Sequence, residues 1–152
     1  MSDYMKMMRG LVGSRPIFQN GASVIVVDAE GRILLGLRSD NNCWGYAGGS
    51  VELGEQVAEA AIRELEEEFG IRAIDLELFG VFSGKELYYM YPNGDEVYNI
   101  DTVYICRHFT GILKADEDEI LQVRFFDIDE MPENLSPPII NVINAYLKSR
   151  PI

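Results

Sequence analysis

Histidine occurs once in this 152-residue chain, tryptophan once and cysteine twice. The two cysteines, Cys43 and Cys106, match no metal or redox spacing, so two free thiols are expected. The single histidine, His108, follows a strand-like run and reads as a structural or surface residue. Positive charge is also short: 13 Lys and Arg stand against 25 Asp and Glu, a net charge of −12. Such a surface repels phosphate backbones and argues against bulk nucleic-acid binding. It does not exclude a small phosphorylated substrate, because metal ions can sit between acidic side chains and a phosphate. No apolar run approaches the ~20 residues of a membrane span, and none is expected. Met1 to Leu11 carries Lys6 and Arg9 without a continuous apolar stretch, which is not the pattern of a signal peptide. A cytoplasmic location is expected. Internal repeats and low-complexity linkers are absent.

What is present is the composition of one globular domain, 47% hydrophobic and 11% aromatic. Residues 1–16 read as an N-terminal extension, with Met5, Met8 and Leu11 at helical spacing, and residues 17–152 as the domain. Gly21 to Val27 is a β-rich run, Asp28 to Gly31 a turn, and Arg32 to Arg38 the second arm of an expected hairpin. Val57 to Phe69 is the clearest helix, with an apolar stripe at Ala58, Ile62, Leu65 and Phe69. Gly70 is placed to end it in the left-handed conformation. Strand-like runs return at Leu76–Phe82, Glu86–Tyr91, Val97–Phe109 and Ile120–Phe126, with a turn signal at Pro92–Asp95. Ser136-Pro137 reads as a helix start, and Ile140, Ile143 and Leu147 as the stripe of a closing helix. The order argues for a mixed α/β sheet with helices packed on it.

One helix end is costly as it stands. Glu64, Glu66, Glu67 and Glu68 crowd the last turns before Gly70, where the helix already carries partial negative charge. Glu64 and Glu68 also form a like-charge pair four residues apart, worth about 0.2–0.5 kcal/mol of repulsion. A divalent cation would remove both penalties. Positions 64, 67 and 68 share one helix face, and Glu66 points elsewhere. A solvated acidic face is the competing reading.

The surroundings favour the cation. Gly49 to Ile71 reads GSVELGEQVAEAAIRELEEEFGI, with Gly49, Glu55, Arg63, Glu64, Leu65, Glu67, Glu68, Gly70 and Ile71 filling every fixed position of the Nudix box. A chance match in a chain of this size is on the order of one in a million. The resemblance runs on outside the box, through GRILLGLR and Trp44 before it, and Glu119, Arg124–Phe126 and Asp129–Pro132 after it. Ala47 stands where the family usually has proline.

Resemblance to the Nudix hydrolases implies an α/β/α sandwich with a mixed sheet between helices. It implies hydrolysis of a diphosphate linked to another moiety, in a substrate such as ADP-ribose, a sugar nucleotide, a dinucleoside polyphosphate or a nucleoside triphosphate. Glu67 and Glu68 match the main metal carboxylates, Glu64 a third ligand or the base, and the Gly48 carbonyl a backbone ligand. The metal implied is Mg2+, with Mn2+ as the alternative. Glu119 is the candidate for a further carboxylate, with Glu117 and Asp118 as competitors. Glu55 and Arg63 are expected to clamp the loop to the helix, and Arg63 touching phosphate is the other option. Gly49 and Gly70 are structural. Arg38 is a candidate for phosphate contact. Trp44 and Tyr89, with Tyr88 and Tyr91 nearby, are candidates for stacking on a base or for core and hairpin positions. A homodimer is open by analogy. The same resemblance allows a catalytically inactive nucleotide-sensing module, although such modules lose box carboxylates and this chain keeps them. A diphosphate isomerase would need a cysteine and a histidine cluster, which one histidine cannot supply.

Overall fold

The computed structural model describes residues 2–150. In chain order its helices and strands are α1 (Asp3–Val12), β1 (Ile17–Val26), β2 (Ile33–Arg38), β3 (Trp44–Gly45), β4 (Ala47–Ser50), α2 (Val57–Phe69), β5 (Ile71–Ala73), β6 (Glu77–Phe82), β7 (Tyr88–Met90), β8 (Glu96–Cys106), β9 (Phe109–Gly111), β10 (Ile120–Phe126) and α3 (Ile140–Ser149). β1 lies at the centre. It runs parallel to β8, in register from Ile17–Val97 to Val26–Cys106, and antiparallel to β4. β6 and β7 pair antiparallel with β8 and complete a five-stranded mixed sheet. A second sheet orders β10-β2-β3, and β5 pairs with β9.

Strand alternation divides the core in two. Ala22, Val24 and Val26 of β1 face α2, packing with Ala60, Ala61, Leu65 and Phe69. Ile25 and Val27 face the other way, toward Val142, Ile143 and Tyr146 of α3. The sheet layer is therefore sandwiched between α2 and α3, as the resemblance implied. No helix among the described residues is long and apolar enough to cross a membrane.

Several local expectations change. The runs at 21–27 and 32–38 do not form a paired hairpin; they share the single bridge Val27–Ile33 and then enter different sheets. Both edges of β1 are taken by β4 and β8, and both edges of β2 by β10 and β3, so neither has an edge left for the other. The run at 97–109 breaks at Arg107-His108, and its end turns to pair with β5 as β9. The run at 86–91 begins as a 3-10 turn at Lys85–Leu87 and is a strand only over β7. Ser136 precedes a 3-10 turn at Pro137–Ile139 and makes no side-chain cap bond. On α2 the buried stripe is Ala60, Ala61, Leu65, Glu68 and Phe69, and Ala58 and Ile62 stay half-buried. The two alanines let the helix lie close to the sheet, and Glu68 falls within the same buried stripe.

The N-terminal helix is docked on the domain. Ser2 Oγ accepts the Met5 N–H, and Met5 is buried, whereas Leu11 is exposed rather than part of an apolar stripe. Glu52 accepts the N–H groups of Asp3 and Tyr4, each at 3.1 Å. Arg9 holds the other end, donating to the carbonyls of Gly13, Arg15 and Glu96.

Candidate active site

The last two turns of α2 face strand β4, where glycine lets the Glu64 carboxylate stand against the backbone. A Cβ on Gly49 would collide with the Glu64 carboxylate, and one on Gly48 with Ser23 Oγ. The Gly48 N–H donates to Glu68 Oε1 at 2.8 Å. Gly70 ends the helix at φ 77°, and a Cβ there would stand 2.9 Å from the Ile112 carbonyl.

Arg63 ties the loop before α2 to the helix. Its Nε and Nη2 reach Glu55 Oε2 and Oε1 at 2.7 and 2.9 Å, and Nη2 also donates to the Ser50 carbonyl at 3.2 Å. Glu55 in turn accepts the Glu52 N–H at 3.0 Å. The remaining Arg63 nitrogen pairs with Glu64 at 2.9 Å and Glu67 at 3.3 Å. Glu66 leaves this face for Arg72.

Glu64, Glu67, Glu68 and Glu119 line one cavity of about 320 Å³, with Gly48, Gly49 and Asp116. Glu117 and Asp118 line a different hollow, so Glu119 is the one of the three acidic loop residues brought to the helix carboxylates. Asp116 was not singled out from the sequence; a loop aspartate in an acidic run has no periodicity to betray it. Glu68 is 3% exposed. Burial pushes its carboxyl up to about 8, opposed by the Gly48 N–H and reinforced by Glu64. Arg38 is the nearest cation to it at 3.9 Å and is already engaged by Asp40 at 3.1 Å. Burial also raises the Glu64 carboxyl, against the pull of Arg63.

The donor set fits a hard divalent cation: several carboxylate oxygens, one of them buried without an adequate counter-charge. As the side chains stand, no three acidic groups among the described residues close on one ion-sized point. Arg63 holds two of them, and a cation would compete with it.

A second cavity, of about 120 Å³, adjoins the first through Gly48, Gly49 and Gln19. Arg38 and Tyr89 line it, as does Tyr91. Tyr89 accepts a hydrogen bond from Asn41 at 2.9 Å and packs edge-on against Tyr91. Trp44 is placed elsewhere. It is 8% exposed, lies edge-on to Phe126 at 4.8 Å beneath Arg124, and lines neither cavity; it packs in the core, the other position the sequence left open for it. Its backbone is drawn inward because β3 pairs with β2. Cys43 and Cys106 are free thiols.

The NUDIX domain model matches residues 17–146. The chain belongs to the Nudix family. Members of this family generally use divalent metals. Over 111 residues the chain is 34% identical to the ADP-ribose pyrophosphatase of Methanocaldococcus jannaschii, a match covering 71% of this chain and 62% of that protein. It is 33% identical over 67 residues to an RNA pyrophosphohydrolase of Alkalilimnicola ehrlichii, covering 44% of this chain and 37% of the other. The crystal structure of a MutT NUDIX hydrolase from Burkholderia pseudomallei superposes with a TM-score of 0.72 at 28% identity, covering 90% of this chain and 99% of that one. The Nudix box thus occupies the β4–α2 unit, and the second cavity lies on the opposite side of β4.

Proposed function

We propose that this Nudix protein hydrolyses a diphosphate linked to another moiety, in a small nucleotide derivative, with Mg2+ as its metal and Mn2+ as a substitute. The observation that carries the reading is the meeting of Glu64, Glu67, Glu68 and Glu119 with two glycines in one cavity that adjoins a second, less acidic one. The names of the relatives, an ADP-ribose pyrophosphatase and an RNA pyrophosphohydrolase, support a nucleotide-linked diphosphate as the common element.

In this reading Glu64, Glu67, Glu68, Glu119 and the Gly48 carbonyl are the oxygen donors for the metal. A divalent cation bound there supplies neutralisation of the diphosphate charge and a lowered pKa for water. Arg38, between Glu68 and the second cavity, contacts a phosphate oxygen with its planar guanidinium. Tyr89 flanks the attached group. A water oxygen forms a bond to one phosphorus, its proton passes to a carboxylate, and the bridging oxygen leaves with the other phosphoryl group. Glu64 and Glu119 are the two candidates for that base. Glu64 suits it because burial raises its proton affinity, against the pull of Arg63. Glu55 and Arg63 hold the loop and helix in position.

The test is a hydrolysis screen in magnesium against ADP-ribose, other sugar nucleotides, dinucleoside polyphosphates, NADH and nucleoside triphosphates, with Glu68→Gln as control. Turnover by the native protein and loss of at least about 100-fold in a folded Glu68→Gln protein are expected. Near-normal activity in that variant would overturn the metal assignment. Tight binding of a nucleotide without turnover would instead indicate a sensing module.

A further inference from the structure

The central sheet is covered unevenly on its α2 side. α2 packs over β1 and β4, against Ala22, Val24 and Val26. Ala73 and Phe109 of β5 and β9 pack around Cys106 at the far end of β8. The first half of β1 and of β8, with β6 and β7 beside them, is left open on that side. Pairing shows which residues share the open face, since partners in register point the same way. Phe18 of β1, four residues before Ala22, stands beside Tyr98 of β8, which pairs with Tyr88 of β7. Val81 and Leu78 of β6 pair with Thr102 and Tyr104, and Met90 of β7 with Glu96.

Phe18, Leu78, Val81, Met90 and Tyr98 are 40–68% exposed. They cover three strands in width and about 25 Å along them. Together they open on the order of 500 Å² of apolar surface to water, near the top of what a monomer shows. With the half-buried Tyr88, Ile100 and Thr102 between them, the face approaches the roughly 800 Å² that each partner gives to a stable interface. Its make-up is that of an interface centre, aromatic and almost free of charge. Glu96 is the one charged residue among these, and the Tyr88 hydroxyl donates to it.

We propose that this face is the contact between two copies of the chain, packed sheet against sheet about a twofold axis. Charge decides for a second copy. A basic partner drawn by the net charge of −12 would settle on acidic surface, and this face offers almost none. An uncharged apolar face matches itself, and a twofold pair is the commonest closed assembly. It is also the contact through which two chains of −12 meet with least repulsion. β4, which carries Gly48 and Gly49 of the acidic cavity, is the opposite edge strand of the sheet, so pairing here leaves both cavities open. The inference holds whether or not the protein is a hydrolase.

The experiment is sedimentation velocity on the intact protein, from about 1 to 100 µM, a range that brackets an association of moderate strength. A species of twice 17.2 kDa is expected to dominate at the upper end. Added sodium chloride should preserve or strengthen it, because salt screens the repulsion between the two chains. Phe18→Ser and Val81→Lys should each weaken the association roughly tenfold or more, and together leave a monomer. Both positions are exposed, so the variants should fold, and far-UV circular dichroism checks this. Ile112→Ser, at an apolar residue more exposed than any of these but outside the sheet, should leave the mass unchanged. A monomer at every concentration would overturn the proposal and leave the face to a different partner. A dimer that the double variant leaves intact, that salt dissociates, or that Ile112→Ser disrupts as strongly would overturn it as well.

Discussion

Gly48 and Gly49 are neighbours in sequence, yet a side chain at each would meet a different obstacle. At Gly49 the obstacle is the carboxylate end of Glu64, a flexible group that can swing aside. At Gly48 it is the Ser23 side chain and the Ala22 carbonyl, part of the central strand. Gly49→Ala is therefore expected to fold with stability within about 1 kcal/mol of the native protein while misplacing Glu64. A displacement of about 1 Å at a reacting group costs on the order of 100-fold. Urea unfolding and kcat/KM on the same sample check both halves. Retained activity would show that Glu64 is not needed where it now stands. Glu68 makes the complementary point. Its burial is unfavourable for a carboxylate alone, and the strand N–H of Gly48 that it accepts fixes its orientation.

At the scale of elements, α2 supplies three of the acidic groups, and its position on the sheet is set by what it buries. Ala60, Ala61, Leu65 and Phe69 are 0–1% exposed against β1 and β2. A Cβ on Gly36 of β2 would lie 2.6 Å from the Phe69 ring, so β2 admits the helix only by carrying glycine there. α1 is attached differently, through polar bonds at its two ends. Glu52 accepts from the Tyr4 and Asp3 N–H groups, and these donors, Tyr4 foremost, hold its carboxyl below the ordinary range. A depressed carboxylate stabilises the attachment above its unfolded value of about 4.3, and the contribution disappears as pH falls through the lower folded value. The amide resonances of Asp3 and Tyr4 should therefore titrate together below about pH 4.3, and Glu52→Gln should abolish that titration. Shifts indifferent to pH would show that the helix is held by Met5 and Arg9 alone.

For the whole molecule, a net charge of −12 means that the compact state repels itself, and that repulsion is concentrated in the acidic cavity. A cation that binds the folded state and not the unfolded one should raise its stability. At about 100 times its dissociation constant, magnesium would contribute about 2.7 kcal/mol. For a chain of this size that is a rise of roughly 5–10 °C in Tm. Sodium chloride at matched ionic strength should reproduce only the screening part. Glu68→Gln should lose the magnesium-specific part, and an equal response to both salts in differential scanning fluorimetry would argue against a built metal site.

How much of this was legible beforehand follows from the range of the interactions. The box from Gly49 to Ile71 could be read directly because its residues are close in sequence: the shared face of Glu64, Glu67 and Glu68 and the Gly70 stop are local consequences of helix geometry, and the Glu55–Arg63 clamp was implied by the resemblance. The order of strand-like runs and helical stripes likewise made a mixed sheet with helices packed on it the expected fold, and the resemblance placed that sheet between helices. Other features depended on pairing between distant segments. The 21–38 hairpin dissolved because β4 and β8 claim both edges of β1. Trp44 went to the core because β3 joins β2. Glu119 and not Glu117 reached the acidic cavity through a loop whose path no periodicity records. Asp101 meets Ser23, 78 residues away across the parallel β1–β8 pair, and Tyr46, 55 residues away between β3 and β4. Local spacing determined the candidate chemistry of this protein, and the shape of the cavity beside it was decided only when the strands found their partners.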